Sequence, residues 1–334
     1  MATAKRLPSG NWRVRVFDSK TKKYLSFTAS TKRQAEMDAL LFTKRSAEPI
    51  KLQEAMERYI SMKEGVLSPS TVLGYRKLMR TAYPNIIGMR LDRITEENLQ
   101  TAISDYAQTH SPKSTRNMSG LMSAVLKAYA PGLSFRPTLP QKKKTGISIP
   151  SSADINRLLA ACAGKQLETA LRLAAMLGLR RSEISALQWS DLDEKRKTIS
   201  INKAMVLTDD GTWQIKPPKS TAGNRVLAVP EPLLQHLLSL DRYQSSIVNL
   251  HPNAISGRYN RLRQKLGMSW RFHDLRHYYA SLMLALGVPD KYAMQRMGHE
   301  TDTMLKSVYQ HLMDDKSAEI DNSIEAKLSA LFNA

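Results

Sequence analysis

The chain has 334 residues, of which 42% are hydrophobic, so it has room for roughly two or three domains that each bury a core. Its formal net charge of +20 at pH 7 calls for a polyanionic partner. No apolar run approaches the roughly 18 residues of a membrane-spanning helix, and the N-terminus lacks a signal-peptide core, so we expect nucleic acid and not a membrane. The single cysteine, Cys162, excludes an internal disulfide and a cysteine-built zinc site; it indicates a reducing cytoplasm and, from its apolar surroundings, a core position.

Residues 1–47 predict a short antiparallel sheet backed by one helix. Two segments alternate between apolar and polar positions, and the period of two is typical of strands with one buried face. A helical pattern over residues 30–45 follows the second segment. The side chains expected to point inward from the sheet are Trp12, Val14, Val16, Leu25 and Phe27.

The outward face of this sheet is a candidate DNA-binding surface. Residues 1–47 hold 11 Lys or Arg and 3 Asp or Glu, a net charge of +8. Some proteins read DNA by placing a two- or three-stranded sheet in a groove. A plain solvated face is the alternative interpretation. The five side chains that we expect to face DNA are Arg13, Arg15, Phe17, Tyr24 and Ser26.

Residues 49–135 predict a helical domain of about four helices. Two segments begin with Ser-Pro, at Ser68 and Ser111, a sequence that suits a cap followed by proline in the first helical turn. The second of these helices opens with basic, hydroxyl and amide side chains that suit phosphate contact, although a solvated helix end is equally consistent. These candidate contacts are Lys113, Thr115, Arg116 and Asn117.

A linker over residues 136–149 is predicted from its prolines, its lysine run and its lack of helical period. Residues 150–334 then form the largest domain, in which helices surround three short strand-like segments. The expected fold class is therefore multidomain α+β: a small antiparallel sheet plus helix, a helical domain, and a mainly α domain with a small antiparallel sheet.

Five features of the last domain are ordinary when each is taken alone. Arg180 and Glu183 are three apart, as in a surface ion pair on one helical face. Lys219 lies in a glycine-containing turn between two strand-like segments. His273 and Arg276 are again three apart, and Gly298-His299 and Tyr309 follow.

The spacing of His273 and His277 raises the possibility of a helical metal pair. That interpretation needs a third ligand, and Asp274 stands where the usual glutamate would follow the first histidine. We therefore predict no metal site.

Taken in order, these features resemble the tyrosine recombinase, or phage integrase, family. The first arginine motif runs from Gly178 through Arg180 and Glu183 to Trp189 and Asp191. The His-x-Leu-Arg-His box spans residues 273–277, and the Gly-His and Tyr-x-His boxes are residues 298–299 and 309–311. One departure is the spacing of ten residues from His299 to Tyr309, one more than the family pattern leads us to expect. Tyr292 is not followed by the Tyr-x-His pattern, so Tyr309 is the assigned tyrosine.

The resemblance implies a site-specific DNA recombinase that cuts and rejoins strands through a 3′-phosphotyrosine and needs no cofactor. Tyr309 would attack the phosphodiester, Arg180 and Arg276 would grip its oxygens, and Lys219 would protonate the leaving 5′-oxygen. His273 would handle the tyrosine proton or bond the phosphate, and His299 would donate a hydrogen bond to it. Glu183 would orient the arginine and histidine.

The resemblance also implies the organisation of the chain and its partners. Residues 1–47 would bind arm sites on double-stranded DNA, residues 49–135 would bind core sites, and residues 150–334 would carry catalysis and a C-terminal helix. We expect a homotetramer on DNA in the bacterial cytoplasm that integrates or excises a prophage or conjugative transposon. A DNA-bending or excision accessory protein is a candidate further partner.

Two alternatives remain open from the sequence. A type IB topoisomerase shares the chemistry but acts as a monomer, and the small basic N-terminal domain argues against it. A non-catalytic DNA-binding protein on an integrase scaffold is the other, and the presence of all six family positions argues against it.

Overall fold

A computed structural model describes residues 3–18, 23–46, 50–133, 135–142, 149–218 and 221–298 of the chain. The chain divides into two units, one up to residue 143 and the other from residue 144, apart from residues 68–70, which group with the second. None of the helices in the described ranges is long and apolar enough to cross a membrane.

The first unit opens with a three-stranded antiparallel sheet in the order β1-β2-β3. Its strands are β1 (Lys5–Arg6), β2 (Trp12–Asp18) and β3 (Lys23–Ala29), and helix α1 (Lys32–Ser46) follows. The predicted alternation is present, because Val14 is fully buried while Arg13, Arg15 and Phe17 are exposed. Leu25, predicted inward, is 37% exposed because the core beneath the sheet is small. That core consists of Ala4, Val14, Ala35 and Ala39.

The start of α1 is capped from one side. The spacing of Thr31 and Gln34 predicts a capping box, and the Thr31 hydroxyl accepts a hydrogen bond from the Gln34 backbone N–H at 3.2 Å. The Gln34 side chain instead donates to Asp38 at 2.9 Å, one turn further along the helix. The cap therefore forms through the threonine.

Four helices follow: α2 (Leu52–Lys63), α3 (Pro69–Thr81), α4 (Glu96–Thr109) and α5 (Pro112–Tyr129). Both predicted Ser-Pro starts are confirmed, since α3 and α5 begin at their prolines and the Ser111 hydroxyl accepts from the Ser114 N–H at 3.2 Å. In the core between these helices the Tyr83 hydroxyl donates to the Met118 carbonyl at 2.7 Å. Residues 50–133 contain no strand, only an isolated bridge between Lys51 and Arg90.

The beginning of the predicted linker is held on the helical part of this unit. Thr138 and Gln100 exchange two hydrogen bonds, at 2.9 and 3.1 Å, and Arg116 donates to the Pro140 carbonyl at 2.6 Å. Phe135 and Leu139 pack against the helical core. Residues 135–142 have neither helix nor strand, as predicted, but the part up to Pro140 is bound to the helices. We call residues 135–140 the strap.

The second unit contains seven helices among its described residues. They are α6 (Ser152–Ala160), α7 (Gln166–Leu177), α8 (Arg181–Ile184), α9 (Glu231–Leu238), α10 (Pro252–Lys265), α11 (Asp274–Ala285) and α12 (Asp290–Met297). Cys162 is buried in their core, as predicted. The helices α7 and α11 pack together within this unit.

Two small sheets accompany these helices, where the sequence predicts one. Strands β4 (Leu192–Asp193), β5 (Thr198–Ile201) and β8 (Arg225–Ala228) form an antiparallel sheet in the order β4-β5-β8. Strands β6 (Ala204–Leu207) and β7 (Trp213–Lys216) form a separate hairpin. Residues 197–205, which the sequence predicts as a single strand, divide at Lys203, whose ammonium donates to Asp191 at 2.8 Å and to Gln188 at 2.9 Å.

Candidate active site

Arg180 is presented by a glycine turn at the end of α7. Gly178 closes α7 with φ +65°, and a Cβ on it would lie 2.5 Å from the Tyr279 ring, so only glycine fits there. Arg180 then caps α8 in an extended conformation, φ −76° and ψ 147°, and so lies before the helix and not on its face as predicted. The predicted contact with Glu183 nevertheless forms, because capping brings the two side chains together.

The Glu183 carboxylate has all four of its acceptor positions occupied. One oxygen accepts from Arg180 Nη1 at 2.8 Å and Arg225 Nη1 at 3.3 Å, and the other from the Arg180 N–H at 2.9 Å and Arg225 Nη2 at 3.0 Å. We predicted that Glu183 orients an arginine and a histidine. It contacts two arginines, and these leave it no acceptor position for a histidine.

The electrostatics of Glu183 follow from these contacts. Burial alone would raise the pKa of this carboxyl, but the hydrogen bonds and charge of Arg225 and the charge of Arg180 outweigh it, so the pKa lies below its ordinary value. Glu183 is therefore ionised at neutral pH.

Arg225 is the residue that the sequence analysis missed. Its side chain is 3% exposed, and it lies on β8 facing the same side as Leu227, so an arginine occupies a core position. Besides Glu183 it donates to the Arg296 carbonyl at 2.7 Å and the Gly223 carbonyl at 3.2 Å. The period-two alternation of Arg225, Leu227 and Val229 was the signal that could have identified it.

Arg276 and His273 come together at the start of α11. Arg276 is 1% exposed and donates to the carbonyls of Gly178 and Met297. Burial and the nearby charge of Arg180 lower the pKa of Arg276 to about 9, so the guanidinium still carries its charge at pH 7. Arg180, whose side chain is 35% exposed, is the more accessible of the two.

His273 precedes α11 and stacks edge-on against His277, with ring centroids 5.4 Å apart. Desolvation, His277 and the charges of Arg276 and Arg180 lower the pKa of His273 to about 4. Part of the residue is exposed to water, which weakens this effect. The direction of the shift makes His273 a neutral imidazole at pH 7, able to accept a proton.

The C-terminal end of α12 joins the three arginines. Arg225 donates to the carbonyl of Arg296, Arg276 to that of Met297, and Arg180 to that of Gly298 at 3.0 Å. Gly298 closes the helix with φ +63°. These contacts place the residue before His299 directly against the arginine cluster.

Three of the six predicted catalytic residues lie outside the described residues: Lys219, His299 and Tyr309. The predicted C-terminal helix over residues 312–332 also lies outside them. The structure therefore brings together Arg180, His273 and Arg276, with Glu183 and Arg225. In the described part of the chain no three His, Cys, Asp or Glu side chains converge as metal ligands would.

The predicted DNA-contact residues fall into two groups. On the N-terminal sheet Arg13, Arg15, Phe17, Tyr24 and Ser26 are all exposed on one face. Phe17 and Tyr24 lie directly opposite each other, with ring centroids 5.2 Å apart, and the Arg15 guanidinium lies 5.1 Å from the centre of the Tyr24 ring.

The second group, at the start of α5, is only partly available. Lys113 and Asn117 are exposed. Thr115 is fully buried and its hydroxyl donates to the Ser111 carbonyl at 3.2 Å, so the prediction that it contacts phosphate is wrong. Arg116 is partly buried and donates to the carbonyls of Pro112 and Pro140. The face of α5 that carries Thr115 packs into the core, which the sequence spacing alone did not distinguish.

The sequence profile of the phage integrase family matches residues 151–316, which include every residue of the cluster described above. A tyrosine recombinase XerC-like protein of Caldanaerobacter subterraneus subsp. tengcongensis is 23% identical over 79% of this chain and 78% of its own. The prophage integrase IntR of Escherichia coli is 25% identical over 54% of this chain and 51% of its own.

Solved structures share the fold. The Tn1549 transposon integrase in complex with transposon right-end DNA has a TM-score of 0.67 at 18% identity and covers 82% of this chain and 99% of its own. A lambda integrase tetramer bound to a Holliday junction has a TM-score of 0.58 at 19% identity and covers 92% of this chain and 94% of its own. These likenesses show the fold, and the profile match shows that the chain belongs to the phage integrase family and is a tyrosine-type site-specific recombinase.

Proposed function

We propose that this recombinase integrates and excises a mobile element by attack of Tyr309 on a DNA phosphodiester. The observation that carries the proposal is that one site holds the guanidiniums of Arg180 and Arg276 together with the neutral imidazole of His273. A phosphodiester under attack gathers negative charge on its non-bridging oxygens, and fixed guanidiniums stabilise that charge by paired hydrogen bonds.

Every group that gains or loses a bond or a proton in this step belongs to the protein or to the DNA. The Tyr309 oxygen forms a bond to phosphorus, the bond from phosphorus to the 5′-oxygen breaks, and the tyrosine proton passes to His273. Lys219 gives a proton to the leaving 5′-oxygen, and His299 donates a hydrogen bond to the phosphate. Attack of a 5′-hydroxyl on the phosphotyrosine reverses the step, so the bond energy is conserved and no cofactor is consumed.

The two arginines differ in how a phosphate would reach them. Arg180 is partly exposed, and two of its five N–H donors are committed, to Glu183 Oε1 and to the Gly298 carbonyl. Arg276 is buried under its own contacts to Gly178 and Met297. We therefore assign first contact with the phosphate to Arg180, and contact by Arg276 to a rearrangement of the α12 end on DNA binding.

The substrate and assembly are also proposals. Double-stranded DNA as the partner is supported by the charge of +20 and by the DNA complexes among the structural neighbours. A homotetramer is supported by the lambda integrase tetramer on a Holliday junction, and a mobile element by the prophage integrase among the relatives. Arm-site binding by residues 1–47, core-site binding by residues 49–135, and an accessory bending or excision protein complete the proposal.

The family match favours recombination over the two alternatives, a topoisomerase or a non-catalytic DNA-binding protein. The deciding experiment compares Tyr309→Phe with Tyr292→Phe on a nicked attachment-site duplex that traps the covalent adduct. Tyr292 is a matched control, because it is exposed on α12 near the site but lacks the Tyr-x-His pattern.

We expect Tyr309→Phe to bind DNA as wild type does and to form no adduct, and Tyr292→Phe to form it normally. An adduct from Tyr309→Phe would reject Tyr309 as the nucleophile. We expect the wild type to exchange strands between two marked duplexes. A protein that relaxes supercoils but exchanges no strands would be a topoisomerase.

A further inference from the structure

Three consecutive carbonyls at the end of α12 each accept a hydrogen bond from a different arginine. They belong to Arg296, Met297 and Gly298, and the donors are Arg225, Arg276 and Arg180 in that order. The last carbonyls of a helix lack partners within it and carry the negative end of its dipole, so guanidiniums bind them well. The α12 end is thus fixed by the same cluster that is proposed to hold the phosphate.

Arg225 differs from the other two arginines in what it can reach. Its side chain is 3% exposed, and it donates hydrogen bonds to Glu183 and to the carbonyls of Gly223 and Arg296. It therefore does not act on a phosphate directly. It joins Glu183, which holds Arg180, to the helix end that leads into His299.

The space beside Arg225 explains why glycine stands at position 298. A Cβ there would lie 2.8 Å from Arg225 Nη1 and 2.8 Å from the Ala222 carbonyl oxygen, both closer than real contacts allow. The backbone of α12 therefore rests directly on the Arg225 guanidinium.

We propose that Arg225 is a positioning residue for strand cleavage: it fixes Glu183 and the end of α12 together, and so holds Arg180 between the Glu183 carboxylate and the Gly298 carbonyl. The inference rests on the proposed function for its effect on cleavage. If Arg225 is replaced, Arg180 is the remaining partner of Glu183 within the described part of the chain. The Arg296 carbonyl also loses the hydrogen bond that Arg225 donates to it. Arg180 is then drawn to an under-paired buried carboxylate and is less available to a phosphate.

The test uses the full chain and the variants Arg225→Met and Arg225→Lys. Arg225→Lys keeps a charge beside Glu183, so it preserves folding if Arg225→Met does not, but one ammonium cannot reproduce the bidentate contact with Glu183. Arg172→Met is the matched control. Arg172 also pairs with a buried glutamate, Glu168, through two bonds at 2.9 and 2.7 Å, on α7 and away from the cluster.

Two readouts separate positioning from a general loss of structure. The first is the side-chain ¹H–¹⁵N NMR signal of Arg180, assigned from its loss in Arg180→Lys. We expect the Arg225 variants to shift and broaden it, and Arg172→Met to leave it unchanged. An unchanged Arg180 signal in both folded Arg225 variants would overturn the proposal, whatever the outcome for cleavage.

The second readout is adduct formation on a phosphodiester and on a methylphosphonate, which lacks the negative charge of one non-bridging oxygen. On the phosphodiester we expect cleavage to slow about a hundredfold in Arg225→Met, the usual effect of losing one oriented donor to the transition state. On the methylphosphonate the loss should shrink to a few-fold, because Arg180 has less charge to stabilise. Equal losses on both substrates would mean that Arg225 is merely structural.

If wild type forms no adduct on either substrate, the proposed function fails. The NMR measurement still decides whether Arg225 positions Arg180, so the two failures are distinguishable.

Discussion

Glu183 illustrates, at the scale of a single residue, how a buried charge is retained in this site. A buried carboxylate is costly unless its acceptor positions are filled, and here two arginines fill all four. The same contacts that pay this cost hold Arg180 in place. The Glu183 side chain therefore contributes both to the stability of the fold and to the position of Arg180.

The substitution Glu183→Gln should destabilise the protein at pH 7 by roughly 3 kcal/mol, because it leaves two guanidiniums without their anion. The pKa of Glu183 is lowered in the fold, so its contribution is present above the unfolded pKa of about 4.3 and is lost as pH falls through the lower folded pKa. Urea unfolding at pH 7 and at acid pH should show the difference between variant and wild type shrinking on acidification.

Glu231→Gln is the control, because Glu231 pairs with Lys197 at 2.8 Å on the surface. It should leave stability nearly unchanged, because solvent screens an exposed ion pair. A Glu183→Gln protein as stable as this control would mean that the buried contacts contribute nothing net.

Arg180→Lys and Arg276→Lys should each slow cleavage by about a hundredfold despite keeping the charge, since an ammonium cannot reproduce the planar paired donors. The two should differ in stability. Arg276 is buried with contacts to two carbonyls, so its variant should also unfold at lower temperature, whereas Arg180 is partly exposed. Single-turnover cleavage and thermal unfolding measure the two effects, and near-wild-type cleavage by either variant would remove that arginine from the site.

His273 should titrate below its ordinary value in the free protein. Desolvation, His277 and the two arginines lower its pKa, and a bound phosphate would offset the arginine charges and raise it again. Imidazole NMR titration, with His273→Gln for assignment, should show protonation of His273 below the ordinary histidine pKa of about 6.5, and an upward move of its pKa on adding a DNA duplex. A pKa at or above 6.5 in the free protein would contradict the assigned environment.

The sequence motifs correctly identified Arg180, Glu183, His273 and Arg276 as neighbours. Two side chains three residues apart stay close even where the local structure differs from the prediction, as at Arg180, which caps its helix. They did not identify Arg225 or the burial of Thr115. Both depend on which face of an element meets the core. That is decided by packing between elements distant in sequence, and periodicity indicates a buried polar residue only through the apolar residues that alternate with it.

At the scale of elements, the N-terminal sheet offers a surface whose function can be separated from the rest. Arg15 and Phe17 each contact Tyr24 on the exposed face, and aromatic groups beside a guanidinium suit nucleic acid. The sheet packs on its core through the opposite face, where Val14 is buried with Ala4, Ala35 and Ala39. The three exposed side chains take no part in that core.

The double variant Arg13→Gln/Arg15→Gln should lose binding to a second, arm-type sequence while cleaving a minimal core site normally. The control Lys32→Gln/Arg33→Gln removes the same charge from α1 and should retain arm binding. Gel-shift titration at fixed salt measures both, because non-specific affinity depends on salt. Equal losses in the two variants would mean that the sheet contributes charge alone, and deletion of residues 1–47 should reproduce the sheet variant.

Elements with strong local signals were predictable. Proline after serine gave the starts of α3 and α5, and alternation gave β2. The division of one predicted strand into β5 and β6 was not predictable, because it depends on Lys203 reaching Asp191 and Gln188 across the fold. The strap over residues 135–140 was missed for the same reason, since its partners Gln100 and Arg116 lie far back in the chain.

At the scale of the whole molecule, recombination requires four strands to be cut in order, so the active unit should be a tetramer on two DNA sites. The last segment of the chain offers a means of controlling that order. Over residues 312–332 the sequence has an apolar stripe at helical spacing, which needs a groove to fill. The stripe consists of Ile320, Ile324, Leu328 and Leu331.

Deleting residues 318–334 should leave binding to a single site intact, weaken the paired-site complex and reduce recombination. The reason is that a helix docked on a neighbouring protomer would couple the position of each Tyr309 to the next subunit. A second variant, Ile324→Asp/Leu328→Asp, should act like the deletion, whereas Asn322→Asp/Ser329→Asp adds the same negative charge on the opposite side of the helical pattern and should not. Free protein should sediment as a monomer and assemble when paired sites are added. If the truncated chain still forms four-subunit complexes and recombines normally, the segment packs on its own protomer and the coupling between subunits lies elsewhere.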